Sequence, residues 1–263
     1  RRRSDVGGIL LLGHSRTSAC CAIFLTIGAV QQPVLGQDRT FSISGSVGYS
    51  ILNLSAVDEK NASDVVGWGN FGIPIGGFAS EKQSPFLSGC LTYRYSRDFS
   101  VSLNGSYFSK TVSSLYNGSD AVLQLDRGVS ATDLSLGIAY YPAAQSYLFE
   151  WYLQVNFGIF LARAEARTAG TQATKPGGFI VMVPFVDTDA QYTKTKTFAA
   201  FFVGADIPVF HRVFLKGEAG YRIAQMGELD GEITRFGVQV NQTSVTLFNF
   251  SGFLVSVGVG IEL

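Results

Sequence analysis

Phe41-Ser-Ile-Ser-Gly-Ser-Val-Gly-Tyr-Ser-Ile51 sets Phe41, Ile43, Val47, Tyr49 and Ile51 on one face of an extended chain. Ser42, Ser44, Ser46, Gly48 and Ser50 lie on the other. A period of two is the mark of a strand with a single apolar face. Alternation alone fits a water-soluble sandwich equally well, so the polar face has to decide. A water-facing exterior carries Lys and Glu, whereas this face carries Ser and Gly, small enough to fit inside a narrow barrel. The apolar side chains therefore point outward.

The pattern recurs at residues 87–95, 99–107, 134–140, 149–159, 197–208, 213–221 and 255–263, with 197–208 the least regular. Together with 41–51 these make eight strands. Between the turns and loops that bound them, each has room for the roughly 9 to 11 residues of a tilted membrane-crossing strand. Connections alternate between short turns, at 96–98, 142–146 and 208–211, and long loops, at 53–85, 110–130, 163–196 and 223–247. Short turns on one side and long loops on the other are the habit of an outer-membrane barrel, with both chain ends on the short-turn side. The expected fold is all-β, an eight-stranded antiparallel up-and-down transmembrane β-barrel.

Composition agrees. Charged residues make up 15% of the 263 and hydrophobic ones 46%, against about 25% charged in an ordinary soluble domain. No apolar run approaches the roughly 18 residues of a membrane helix. A 13% aromatic content argues against disorder. The balance of 20 basic and 20 acidic residues offers nothing to nucleic acid.

Residues 1–36 read as a secretory signal peptide, leaving 37–263 as the barrel domain. Arg1, Arg2, Arg3 and Arg16 precede the apolar run Ala19 to Val30, and Val34 and Gly36 are the small or short residues at the expected cut. This segment holds four of the basic residues and one acidic residue, so the remainder is mildly acidic, with 16 against 19.

Strand parity assigns a set of charges to the interior: Arg94, Arg212, Lys216 and Arg222 against Asp133, Glu150, Asp206, Glu218 and Glu262. Charges enclosed in a barrel this narrow are expected to pair with one another. The inward-facing Tyr152, Phe202 and Phe214 narrow any path between them. No catalytic, cofactor or metal site is expected. His211 lies at a short turn, away from the rim where outer-leaflet substrates lie, and Cys90 reads as an inward filler. Asp187 and Asp189 are too few for a calcium cage. Gly67-Trp-Gly69-Asn-Phe-Gly72 has the spacing of a nucleotide-binding turn without its strand and helix, and is read as a mobile glycine-rich loop. The loop at 163–196 contains Phe179-Ile-Val-Met-Val-Pro-Phe-Val186, too apolar for a free loop. It is expected to be a hairpin extension, an extra strand pair making ten strands, or a contact patch.

The end of the chain, Ser256-Val-Gly258-Val-Gly-Ile261-Glu-Leu263, resembles the C-terminal signal of small outer-membrane β-barrels of the OmpA-like, OmpX-like and opacity type. In that signal Ser256, Gly258, Ile261 and Leu263 hold the matching positions, with Leu263 where Phe is usual. The resemblance implies insertion by the barrel-assembly machinery and residence among outer-membrane lipid and lipopolysaccharide, in a Gram-negative envelope. The expected role is structural or surface-interacting, with loops open to an extracellular partner and no enzymatic activity. The alternative is a narrow pore or a lateral path for small or apolar solutes, as in OmpW-like barrels.

Overall fold

The computed structural model describes residues 40–79, 83–142, 149–174, 181–244 and 246–263. The expected leader lies outside these residues, as do 143–148 of the turn after Pro142 and the apolar pair Phe179-Ile180. Everything below concerns the unit Gly36–Leu263.

Eight strands form a closed ring. They are β1 (Thr40–Leu52), β2 (Gln83–Arg94), β3 (Phe99–Asn117), β4 (Ala121–Tyr140), β5 (Glu150–Thr174), β6 (Val181–Phe210), β7 (Val213–Ile223) and, at the end of the chain, β12 (Gly252–Glu262). Neighbours pair antiparallel in chain order, and β12 closes the ring between β7 and β1, from Ser42 opposite Glu262 to Leu52 opposite Gly252. Closure leaves no free edge at membrane depth, which is what lets a sheet exist in lipid.

Side chains divide by parity. Val47, Tyr49, Leu136, Phe157 and Val257 are exposed on the outside, while Ser44, Ser100, Ser102, Ser135 and Ser256 are buried within. On β5 the outward apolar series runs from Leu153 to Leu161 and then gives way to Arg163, Glu165 and Arg167. Eight steps of about 3.4 Å at a tilt of about 40° give roughly 21 Å, close to the roughly 25 Å apolar band of such barrels. On β3 the series ends at Tyr107, followed by Ser109, Thr111 and Ser113, and on β4 it ends at Leu134, followed by Thr132.

The stretches 110–130 and 163–196, expected as loops, are mostly strand. The hairpins β3–β4 and β5–β6 continue well beyond the band, with strands of 19, 20, 25 and 30 residues. Their alternation persists but its polarity inverts. Above the band Leu123, Leu125, Val129, Ala162, Ala164 and Ala190 are buried inside, while Gln124, Glu165 and Thr193 face out. Water has replaced lipid around the wall, so the apolar face turns inward as in a soluble sheet. The apolar segment near 181–186 is thus a hairpin extension.

The last long connection, 223–247, carries β8 (Gln225–Gly227), β9 (Asp230–Arg235) and β10 (Val238–Thr243), and β11 (Phe248–Asn249) follows. In the hairpin of β9 and β10, β9 lies on the same edge of β6 that β7 occupies nearer the short turns, and β10 pairs with β9. The additional strand pair thus comes from 223–247 and not from the apolar segment of 163–196 expected to supply one, and the ring stays at eight strands.

The first long connection contains α1 (Ser55–Asn70). The glycine-rich stretch read as a mobile loop is its C-terminal end. Gly72 takes φ +81° and donates its N–H to the Gly69 carbonyl at 2.9 Å, while Ile73 N–H reaches Trp68 O at 3.0 Å. That bond pattern is a Schellman cap, in which the left-handed residue is usually Gly.

Candidate functional site

The barrel interior is built in two layers. Nearest the short turns, Arg94 of β2 meets Glu150 of β5 at 2.6 Å and lies 4.2 Å over the ring of Tyr141. Lys216 and Glu218, two residues apart on β7, point the same way and pair at 3.0 Å. Tyr152 donates its hydroxyl to Glu218 at 2.8 Å, and Ser256 reaches the other carboxylate oxygen at 3.5 Å. Asp206 stands opposite both Glu150 and Lys216 in the strand register. Its Oδ1 has no hydrogen-bond partner among the described residues.

Halfway up, Arg222 donates from Nη1 to Asp133 Oδ2 at 3.2 Å, and Ser106 donates to the same carboxylate. Arg222 is 2% exposed. Its guanidinium lies 4.7 Å from the ring centre of Phe160 and 5.7 Å from that of Phe108. This cation marks the seam with the second layer, which is apolar. There Phe160 packs against Phe250 at 5.3 Å and Phe198 at 5.9 Å, with Phe108, Met226, Leu229 and Phe248 around them. Between the layers remains a cavity of about 50 Å³ whose lining includes Asn104, Gln154 and Asn156. That is room for one or two water molecules.

Seven of the nine charges assigned to the interior by parity are thus placed there. Arg212 and Glu262 are not. Arg212 is exposed in the turn between β6 and β7, and Glu262 is exposed at the end of β12, its N–H bonded to the Arg212 carbonyl at 2.8 Å. At a strand's last residue the inward direction opens onto water, so parity no longer means burial. His211 is exposed in the same turn. Cys90 is half-buried on β2, its Sγ 3.1 Å from Thr92 Oγ1. No group of three or more metal-ligating side chains occurs among the described residues. The residues that sequence reasoning missed are the apolar ones, Phe108, Phe160, Phe198 and Phe250.

Of the C-terminal residues, Ser256 faces the interior, Ile261 faces outward, and Gly258 packs so closely on β1 that an added Cβ would meet Gly45 O and Ser46. Leu263 donates its N–H to Phe41 O at 2.8 Å.

The ring of Tyr152 packs against Gly204 of β6, where an added Cβ would overlap its atoms. Gly204→Ala is expected to push Tyr152 away from Glu218 and to cost about 1–3 kcal/mol by overpacking. Urea unfolding of the barrel in vesicles measures this, and an unchanged midpoint would show that Tyr152 has room to move.

No family model matches the chain, and no curated protein sequence matches it. Among solved structures, a major outer membrane protein from Thermus thermophilus aligns with a TM-score of 0.50 and 11% identity, covering 86% of this chain and 99% of that one. The outer membrane protein OprG from Pseudomonas aeruginosa aligns at 0.45 and 14% identity, over 86% and 97%. The outer membrane protease OmpT from Escherichia coli aligns at 0.38 and 8%, over 89% and 100%. The Thermus likeness is one of fold: this chain has the architecture of the small outer-membrane β-barrels.

Proposed function

We propose that this is an integral outer-membrane protein whose barrel is a packed support rather than a conduit, and whose work is done by the tall outer hairpins. On this reading residues 1–36 direct export. The last strand, through Ser256, Gly258, Ile261 and Leu263, is recognised by the barrel-assembly machinery. The wall sits in lipid beneath a lipopolysaccharide layer, and the outer loops meet an extracellular partner. The role is non-enzymatic. The observation that carries the reading is the filled interior, polar from Arg94 to Arg222 and aromatic above, with a cavity of about 50 Å³ between them. The expected protein migrates differently on detergent gels before and after heating, fractionates with the outer membrane, and gives no stepwise conductance in planar bilayers. Stable conductance steps would overturn the packed support, and extraction by salt alone would overturn the membrane assignment.

One observation favours a lateral path as the second reading. The ladder between β2 and β3 stops at Phe86 opposite Phe108. Next to it stands Pro85, which has no N–H to give. An open groove of about 630 Å³ lies there, lined by outward residues such as Leu87 and Tyr107 and by the inward Phe86 and Phe108. If apolar solutes use it, Leu87→Trp should block their uptake into vesicles, and uptake unchanged by that substitution would exclude the route.

A further inference from the structure

We propose that β10 is a β-augmentation site, its free edge taking an extended segment of another protein as one further strand. The inference rests on the reading that the outer hairpins do the work, and it names the kind of partner they meet.

Two backbone hydrogen bonds fix the direction in which the edge points. Phe236 donates its N–H to Asp187 O at 3.0 Å, and Ser244 donates to Leu229 O at 2.8 Å. Residues bonded to a given neighbour alternate along an antiparallel ladder. The even-numbered residues of β9 therefore bond to β6 and the odd-numbered ones to β10. On β10, Val238, Val240 and Gln242 answer Arg235, Ile233 and Gly231. Gln239, Asn241 and Thr243 turn their N–H and C=O groups the other way. Among the described residues β10 pairs with no strand but β9, and all six of its residues are exposed.

Proteins that keep such an edge from sticking place lysine, proline, an inward charge or a bulge on it. Val238-Gln-Val-Asn-Gln-Thr243 carries no charge and no proline, and its register with β9 is unbroken. Six residues is an ordinary strand length. An edge left this plain is a template for an incoming strand.

The side chains specify what that strand carries. Val240 pairs with Ile233, which pairs with Ala190, and both of these are buried. Cross-strand partners share a face, so Val238 and Val240 lie on the buried side of the sheet, yet they are 64% and 54% exposed. A strand beside β10 with apolar residues on that face would cover both. Its opposite face would lie beside Gln239, Asn241 and Thr243 and is expected to be polar.

The setting argues against other occupants. β9 meets Thr188 to Thr193 of β6, which pair with Thr168 to Arg163 of β5, beyond the end of the apolar belt at Leu161. Hydrocarbon in any case has no hydrogen bond to offer. Two copies in one membrane stand the same way up. With strands tilted by about 40°, their facing edges cross at about 80° and cannot pair along their length. A copy in an opposing membrane is held off by the β5–β6 hairpin. There Met182 pairs with Ala173, twelve residues beyond Leu161, which is roughly 30 Å above the belt. Alternating N–H and C=O groups are matched by another extended backbone, with affinity from the main chain and selectivity from alternate side chains.

The test uses the full-length barrel in nanodiscs and a labelled peptide of alternating valine and threonine flanked by lysines. One control is the same peptide N-methylated at each threonine, the residues whose N–H groups face β10 when the valines lie beside Val238 and Val240. The other is isolated O-polysaccharide. The parent peptide is expected to bind and to slow amide hydrogen exchange at Gln239, Asn241 and Thr243, with little change at Val238, Val240 and Gln242, which are already bonded to β9. Asn241→Pro removes one outward N–H and no bond to β9. It is expected to weaken binding at least about tenfold, with heat-modifiability unchanged. The methylated peptide, expected not to bind, needs no variant, so the test stands even if Asn241→Pro misfolds. Equal binding of the methylated peptide, equal binding by a folded Asn241→Pro, no binding of the parent peptide, or protection of the edge by the polysaccharide instead overturns the site. Each of these outcomes is distinct from a conductance step, which overturns the packed interior.

Discussion

Asp133→Ala is expected to destabilise the barrel by about 3–5 kcal/mol, the usual cost of removing one member of a buried ion pair. The size comes from what Arg222 is left with. It is buried halfway up the barrel, its Nη2 has no hydrogen-bond partner among the described residues, and its Nε reaches only the Phe250 carbonyl at 3.4 Å. The faces of Phe160 and Phe108 attract a cation but do not replace a carboxylate. Replacing both residues by apolar ones, Asp133→Leu with Arg222→Met, is expected to return stability to within about 1 kcal/mol of the parent, because neither charge then needs a partner. Urea unfolding in vesicles, followed by intrinsic fluorescence, measures the full double-mutant cycle. If Asp133→Ala costs less than about 1 kcal/mol, Arg222 finds water or another acceptor, and the interior is wetter than a packed core. The same variant bears on function, since the pair sits at the seam of the two layers and loosening it is the shortest way to a leak.

How much of this was legible in the sequence depends on which solvent a strand meets. At 41–51 the chain has lipid on one side and a narrow polar interior on the other, and the register could be read directly, as it could for 255–263. Above the band the template of apolar outward residues fails, because Leu123, Leu125 and Ala164 are the inward ones, and strands read against it dissolve into loops. A signal was present all the same. Tyr107-Phe108 and Ile159-Phe160-Leu161 are runs in which neighbouring residues are all apolar. They occur where the outside is still lipid and the inside has become the aromatic layer.

The interior charges show the same dependence. Asp133, Lys216 and Arg222 lie within their strands and are buried, whereas Arg212 and Glu262 lie at strand ends and are exposed, because parity carries no information on depth. Helix α1 escaped because its packed stripe of Val57, Asn61, Val65 and Trp68 includes an asparagine, and three of its last four residues are Gly or Asn. Pattern alone could not distinguish a capped helix end from a glycine-rich loop. Bringing Trp68 and Phe185 together takes tertiary structure, since they are separated by more than a hundred residues.

Leu136→Arg is the substitution whose cost depends on lipid being present. Leu136 is 69% exposed on the outer face of β4. It lies midway between Thr132, where the apolar series ends, and Tyr140 at the short-turn end, and its cross-strand neighbours are Leu103 and Phe157. On a water-facing surface such a change stays within about 0.5 kcal/mol. At the middle of a bilayer an outward arginine costs about 2–4 kcal/mol, falling toward zero near the interfaces. Ser113→Arg, exposed on β3 above the band, is the matched control and is expected to be neutral. Vesicle-based urea unfolding of both variants reads the difference, and equal stabilities would mean that the outer face of β4 does not meet hydrocarbon at that depth. The two results together would set the lower limit of the water-exposed wall between Ser113 and Leu136. That limit is what leaves the outer tip, roughly 30 Å beyond the belt, free to meet something other than its own membrane.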